Sequence, residues 1–374
     1  MDGKPARIAA AKPLDPASGQ RPTAGKPAKR GLFFGLQTAN PPGQFALDAA
    51  VTVLRLPFGM TEIQPAADAP FFVVINAASG HNDAEEAITR IGAILDEGGR
   101  RHEILRVTEP SRIAAVARDA VDRAVAQGGI VVAAGGDGTL NAVAQAVHGR
   151  GVAYAVLPQG TFNLFGRAHG ISQDIEVSTR ALLRARVEPV QVGRVNGRLF
   201  LVNASLGLYP QLLEDREVAK KQLGRSRWVA LFAGLRTLAR YGLQLTLDIE
   251  QAGAKRRVRT PTLFVGNNPL QLARIGIAEE AALESGRLAG VMVKKTTGLA
   301  MLGLALRGAL GRLGDAENVE SLAFRRLSVT PRGARRVKVA VDGEVLWMRS
   351  PLVFDIAEPL PLLQPAPEDR VAVA

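Results

Sequence analysis

Seven residues, Gly135-Gly136-Asp137-Gly138-Thr139-Leu140-Asn141, stand between an unbroken apolar run, Ile130-Val131-Val132-Ala133, and a helical pattern from Leu140 to Val147. This junction constrains the fold more than any other stretch of the chain. A short continuous apolar run is expected of a strand buried on both faces of a parallel sheet. Glycines at its carboxyl end let the backbone approach a ligand closely. The helix that follows offers unpaired N–H groups and its positive dipole end to an anion. The alternative is an ordinary glycine-rich turn with a capping Asp, and five specified residues in this context argue against it. A carboxylate inside a phosphate-friendly loop points to bridging through Mg²⁺ or to orienting water, since two anions repel.

The neighbouring segments predict an α/β domain. Phe71-Phe72-Val73-Val74-Ile75 reads as a second fully buried strand, and Asp83 to Glu97 as an amphipathic helix with Ala87, Ile88, Ile91 and Leu95 on one face. Glu103 to Val107 and Val152 to Leu157 read as further strands, with a helix opened by Pro110 between the first of them and Ile130. Strands alternating with helices over short connections make a parallel sheet. Loops at two more strand ends, Asn76-Ala77-Ala78-Ser79-Gly80 and Pro158-Gln159-Gly160-Thr161-Phe162-Asn163, converge on the same edge. Singly their polar residues read as turn or capping positions, but jointly they suggest a nucleotide cradle.

After about residue 188 the pattern changes. Gln191 to Val195, the Asn196-Gly197 pair and Arg198 to Val202 read as a hairpin. Leu243–Glu250 with Arg256–Val265 reads as another, and strands are expected at 291–294, 327–330, 336–341 and 352–356. The expected fold class is therefore an α/β nucleotide-binding domain with a parallel sheet (69–188), followed by an antiparallel β-sandwich domain (189–360). A basic, largely disordered tail (1–68) precedes them and a short tail (361–374) follows. Within residues 1–30, seven basic residues stand against two acidic ones among Pro, Ala and Gly. The apolar stretches at 228–247 and 299–313 carry arginines and fall short of a spanning helix.

Composition sets the partner classes. The chain of 374 residues has net charge +12, no Cys and four scattered His, so thiol chemistry, disulfides and thiolate metal clusters are excluded. The charge asks for nucleic acid, a membrane surface or a phosphorylated substrate. Few aromatics (5%) and no recognition motif argue against nucleic acid. A basic, aromatic-containing segment around Trp228 fits a membrane interface or, equally, a packed helix with a solvated basic face. No GxxxxGK[ST] and no kinase HRD/DFG set is present.

The order GGDGTLN, with NAASG before it, LPQGTFN after it and Val341-Asp342-Gly343-Glu344 late in the chain, resembles the diacylglycerol kinase catalytic superfamily over about residues 70–358. Its bacterial lipid kinase branch is the nearest match, with sphingosine and ceramide kinases as relatives. The resemblance implies transfer of the γ-phosphoryl of ATP, with Mg²⁺, to a lipid hydroxyl in a cleft between the two domains. Diacylglycerol, a sphingoid base or ceramide would be the acceptor. Asn76, Ser79, Gly80, Thr108, Gly135, Gly136, Asp137, Gly138, Thr139, Leu140, Asn141 and Thr161 would then bind ATP, with Asp137 at the catalytic Mg²⁺. Asp342 and Glu344 would be catalytic, Glu344 as general base. By turn chemistry alone, Asp342-Gly343 reads as a plain hairpin turn. The family's second, structural Mg²⁺ site is reduced here to Glu284, within Leu283-Glu284-Ser285-Gly286-Arg287-Leu288-Ala289. Implied partners are a lipid substrate at a membrane surface, anionic phospholipid and a second copy as homodimer, with no nucleic acid. The implied location is cytoplasmic, peripheral to the inner face of the membrane. An NAD kinase-like enzyme and an inactive nucleotide- or membrane-binding scaffold are the alternatives.

Overall fold

A computed structural model of the chain describes residues 54–55, 61–77, 81–160, 162–208, 244–274, 285–294 and 318–372, with a few single positions besides. The expectations for residues 1–53, 228–243 and 299–313 lie outside the described residues.

The first sheet grows from β1 (Phe71–Asn76), in which Phe71 to Ile75 are all buried. After α1 (His81–Glu97) comes β2 (His102–Val107). A single 3₁₀ turn at Pro110–Arg112 then leads into α2 (Ile113–Gln127). Ala117, Ala120, Val121 and Ala124 recur at helical spacing along α2, and their small side chains let the helix lie close against the sheet. Gly128, in the left-handed conformation at φ 63°, ends α2 and turns the chain into β3 (Ile130–Gly135). Next come α3 (Asp137–Val147), β4 (Ala153–Pro158), α4 (Leu164–Ala168), α5 (Ile175–Leu182) and β5 (Arg186–Val190). Strands β1 to β4 are parallel in the order β2-β1-β3-β4. Helices α2 and α3 pack on one face of this sheet and α1 on the other.

Two antiparallel sheets follow, packed face to face. One has the order β10-β9-β14-β17-β6-β7, from Ala254–Thr260, Leu245–Gln251, Arg326–Pro331, Leu352–Ile356, Gly193–Val195 and Arg198–Phe200. The other runs β13-β12-β11-β8-β15-β16, from Val319–Phe324, Leu288–Val293, Thr262–Gly266, Asn203–Gly207, Arg336–Val341 and Glu344–Arg349. Phe200, Leu247, Val329 and Phe354 from the first meet Leu206, Leu263, Met292 and Val339 from the second in one closed core. The fold class is as expected. Helix α6 (Pro269–Arg274) follows β11 and packs against α4.

The chain does not end in a tail at residue 361. β18 (Leu360–Gln364) returns to the first sheet, parallel to β4 and antiparallel to β5. Fully buried Leu360 and Leu362 join the core beneath α2 and α3, so burial of alternate leucines holds the strand there. The chain thus passes between the two parts twice, and Ala357 N donates to Val192 O at 3.0 Å where the crossings meet. Ile63 already packs on the α1 side, so order begins before residue 69.

Candidate active site

The strand order places β1 between β2 and β3. The connection out of β1 runs one way and the connection into β3 runs the other. Their carboxyl ends therefore part at a topological switch point, where open α/β sheets form a crevice. Asn76 ends β1, and its Nδ2 donates to Thr139 Oγ1 at 3.3 Å across that crevice. Gly135 ends β3, and a Cβ there would lie 2.7 Å from Thr139 Cβ, so this turn has no room for a side chain. Gly136 is the extended N-cap of α3 and no side chain caps the helix, which leaves its first N–H groups to the crevice. Gly138 faces open space, with nothing within 4 Å of where a Cβ would stand.

A cavity of about 640 Å³ opens there, a size suited to a nucleotide-scale ligand. Asn76, Gly138 and Thr139 line it from the sheet edge, Ser111 from the 3₁₀ turn and Arg118 from α2. Arg198 and Glu344 line it from the sandwich. Arg198 Nη2 donates to Glu344 Oε2 at 2.9 Å, and Arg198 Nε is buried with no partner. The late carboxylate and the glycine loop therefore share one cavity although about 200 residues separate them.

The joint between the two parts is built from α3 and the Asp342-Gly343 turn. Asp342 takes φ 45° and Gly343 φ 90°, the paired positive values of a tight β15–β16 hairpin. Asp342 Oδ1 accepts the N–H groups of Val202 and Asn203, both at 2.9 Å. Its Oδ2 accepts Leu201 N and Asn141 Nδ2, both at 2.7 Å. The dipeptide is the hairpin turn that its chemistry suggests, and the Asp342 carboxylate, expected to be catalytic, serves as a clamp. With four donors on its two oxygens, Asp342 has no coordination left for a metal or a substrate proton. One turn along α3, Gln145 Nε2 donates to Leu199 O at 2.8 Å and Oε1 accepts Leu199 N at 3.2 Å.

Asp137 sits on the other side of the helix start. Burial raises its pKa above the usual carboxylate value, the charge of Asp342 adds to this, and the backbone N–H groups of Asn163 and Leu164 oppose it. Its Oδ1 is buried without a partner. That orphaned oxygen fits one carboxylate ligand to a Mg²⁺ carried in by phosphates, an ion that commonly takes one or two protein carboxylates. No cluster of three His, Asp or Glu exists among the described residues, so no all-protein metal cage is formed by them.

The glycine motif thus divides its work. Gly138 and Thr139 touch the cavity, while Gly135 and Gly136 permit the turn. Leu140 sends its side chain into the core under α2, and Asn141 turns to Asp342. Thr108 is exposed past the end of β2 and does not line the cavity. Ser79, Gly80, Thr161 and Glu284 lie outside the described residues. Sequence reasoning missed Arg118, Arg198 and Gln145. Arg198 carried the only available hint, since it opens the second strand of the Asn-Gly hairpin.

Residues 70–195 match the family model of the diacylglycerol kinase catalytic domain. The chain is 43% identical over 117 residues to a Pseudomonas aeruginosa protein named "Probable lipid kinase YegS-like", covering 30% of this chain and 38% of the relative. A Cronobacter sakazakii protein of the same name is 29% identical over 140 residues, covering 36% and 45%. The chain thus spans less than half the length of these curated relatives. The crystal structure of a diacylglycerol kinase from Bacillus anthracis str. Sterne superposes with TM-score 0.58 at 17% identity, covering 80% of this chain and 98% of that one. The shared fold extends well beyond the catalytic domain, through the sandwich.

Proposed function

We infer that the chain is an ATP-dependent lipid kinase, transferring the γ-phosphoryl group to the hydroxyl of a membrane lipid such as diacylglycerol, a sphingoid base or ceramide. The observation that carries this reading is Glu344 facing Gly138 and Thr139 across one cavity at the mouth of an uncapped helix. The family match and the lipid-kinase names of the relatives support the same reaction class.

ATP phosphates would rest on the first N–H groups of α3, with Arg118 as the cation from the opposite wall. Phosphoryl transfer depends mainly on positioning and charge neutralisation. Bound Mg²⁺, held by Asp137 Oδ1 and the phosphates, would supply charge neutralisation on the transferred group. Glu344 would take the acceptor hydroxyl proton as that oxygen forms its bond to the γ-phosphorus, and the bond to the ADP oxygen breaks. Arg198 holds Glu344 as an ion pair; once phosphate enters, its guanidinium has a stronger bidentate partner and Glu344 is released for the acceptor. A membrane-lipid acceptor together with ATP would put the enzyme at the cytoplasmic face of a membrane as a peripheral protein. Among the described residues no helix is long and apolar enough to cross one.

The test is transfer of radiolabel from γ-labelled ATP to extracted lipids, comparing the parent chain with Glu344→Ala and Asp137→Ala. Label in lipid that disappears in both variants is the expected result. Undiminished labelling in both sinks the site. ATP binding without transfer to any lipid would favour the inactive scaffold, and phosphorylation of soluble NAD without lipid an NAD kinase-like enzyme.

A further inference from the structure

Trp347 is 59% exposed on β16, the edge strand of its sheet. Among the described residues no strand pairs with the outer edge of β16, and an open edge carrying a large aromatic invites contact. Its surroundings are cationic. Side chains alternate across a strand, so Trp347 and Arg349 share one face of β16, and the register sets Lys338 and Arg336 of β15 opposite them. Lys338 Nζ lies 5.4 Å from the Trp347 ring centroid and is neutralised by Glu214 at 2.7 Å. Arg336 and Arg349 lie directly opposite each other, both exposed, and neither has an ion pair with any described residue. Like charges so placed destabilise the hairpin unless an anion meets them.

We propose that the β15–β16 hairpin is a membrane-docking surface, with Trp347 entering the interfacial layer of an anionic bilayer and Arg336 and Arg349 meeting lipid phosphates. This rests on the lipid-acceptor reading and adds to it the surface that meets the bilayer. Indole rings settle at the headgroup level, apolar on one side and hydrogen-bonding on the other. Each basic residue near an anionic surface adds to the attraction. The two arginines also choose the occupant, since lipid phosphates relieve the repulsion between them. Glu344 opens the same strand three residues before Trp347, about 10 Å along it and on the alternate face, so the docking surface and the cavity share one hairpin.

The chain holds two tryptophans, so Trp228→Phe leaves Trp347 as the sole tryptophan reporter. That variant is mixed, without ATP, with vesicles of brominated phosphatidylcholine alone or with phosphatidylglycerol added. Quenching of Trp347 that depends on phosphatidylglycerol is expected. Arg336→Gln with Arg349→Gln should weaken vesicle partition about 30-fold, as expected from two surface charges. Turnover of a detergent-dispersed acceptor should stay unchanged in that double variant, which also shows that it folds. Vesicle binding with Trp347 unquenched overturns the proposal, as does binding unchanged in the double variant, or no binding at all. Failure of the kinase reading is separate: Trp347 would still be quenched by vesicles while no lipid accepted phosphate.

Discussion

The two walls of the cavity are made in different ways. The α/β wall is mostly backbone: a strand end, an uncapped helix and glycines that leave room. The sandwich wall is mostly charge: Glu344 and Arg198, held in place by a turn whose Asp342 carries four hydrogen bonds. On the first wall, geometry is fixed by local chain direction within a few residues. On the second, geometry depends on contacts between residues more than a hundred positions apart. Steric changes should therefore damage the first wall, and removal of charge the second.

The largest effect is expected from Glu344→Gln, which keeps the shape and removes the base. Turnover should fall by about 10²–10⁴-fold with the KM for ATP little changed, measured by steady-state kinetics. A rise in the KM for ATP with turnover unchanged would mean that Glu344 binds nucleotide and that the sandwich wall acts by position after all. Next is Asp342→Ala, which strands three backbone N–H groups and leaves Asn141 Nδ2 only its bond to Leu199 O. Loss of about 3–5 kcal/mol of stability is expected, read as a lower denaturant midpoint. A variant as stable as the parent would show that the clamp does not hold the walls together.

How far each wall was legible in the sequence follows from the same difference. Gly135 to Asn141 could be read because strand, turn and helix are adjacent, and each imposes a local rule. Even so, the motif was legible as a block and not residue by residue. Leu140 and Asn141 serve the core and the joint, which only the packed structure reveals. The hairpin at Asn196-Gly197 was equally local, and its φ values of 45° and 85° follow from the dipeptide. Arg198 and Arg118 gave no such signal, because an exposed arginine means nothing until the opposite wall is known. β18 was lost for a related reason. Pro361 and a short leucine pattern read as a tail, and only the vacant slot between β4 and β5 makes them a strand. The segment from Asn203 to Gly207 carries Asn, Ser and Gly within a buried strand, against the propensity that marks strands in sequence.

Gly135→Ala tests the steric wall. The added methyl would meet Thr139 Cβ at 2.7 Å, and Thr139 is buried and tied to Asn76. A cost of about 1–3 kcal/mol is expected from the overlap. The KM for ATP should rise because α3 must shift away from the crevice. Gly138→Ala meets no atom within 4 Å and should leave stability unchanged while obstructing the cavity. If both variants behave alike, the α/β wall is more compliant than its packing implies.

The smallest expected effect separates the walls by pH. His169 follows α4 with its ring edge-on to Phe165 at 4.8 Å. Burial, then the charge of Arg370, lower its pKa from 6.5 to about 4. The sign follows from proton counting: between those values the unfolded chain binds the proton and the folded chain does not. Stability is therefore full above pH 6.5 and is lost as pH falls toward 4. From pH 7 to about 5.5 this amounts to about 1 kcal/mol. Asp342 works in the opposite direction. Burial raises its folded pKa, so its contribution is present below its unfolded value and lost as pH rises through the folded one. Mild acid should thus loosen the α4 side of the cleft, whereas the Asp342 clamp loses nothing as pH falls. Hydrogen exchange at α4 should quicken on acidification, after correction for the intrinsic rate, while protection of Leu201 to Asn203 holds. His169→Phe should abolish the change at α4, and a change that persists in that variant would assign the acid sensitivity to another group.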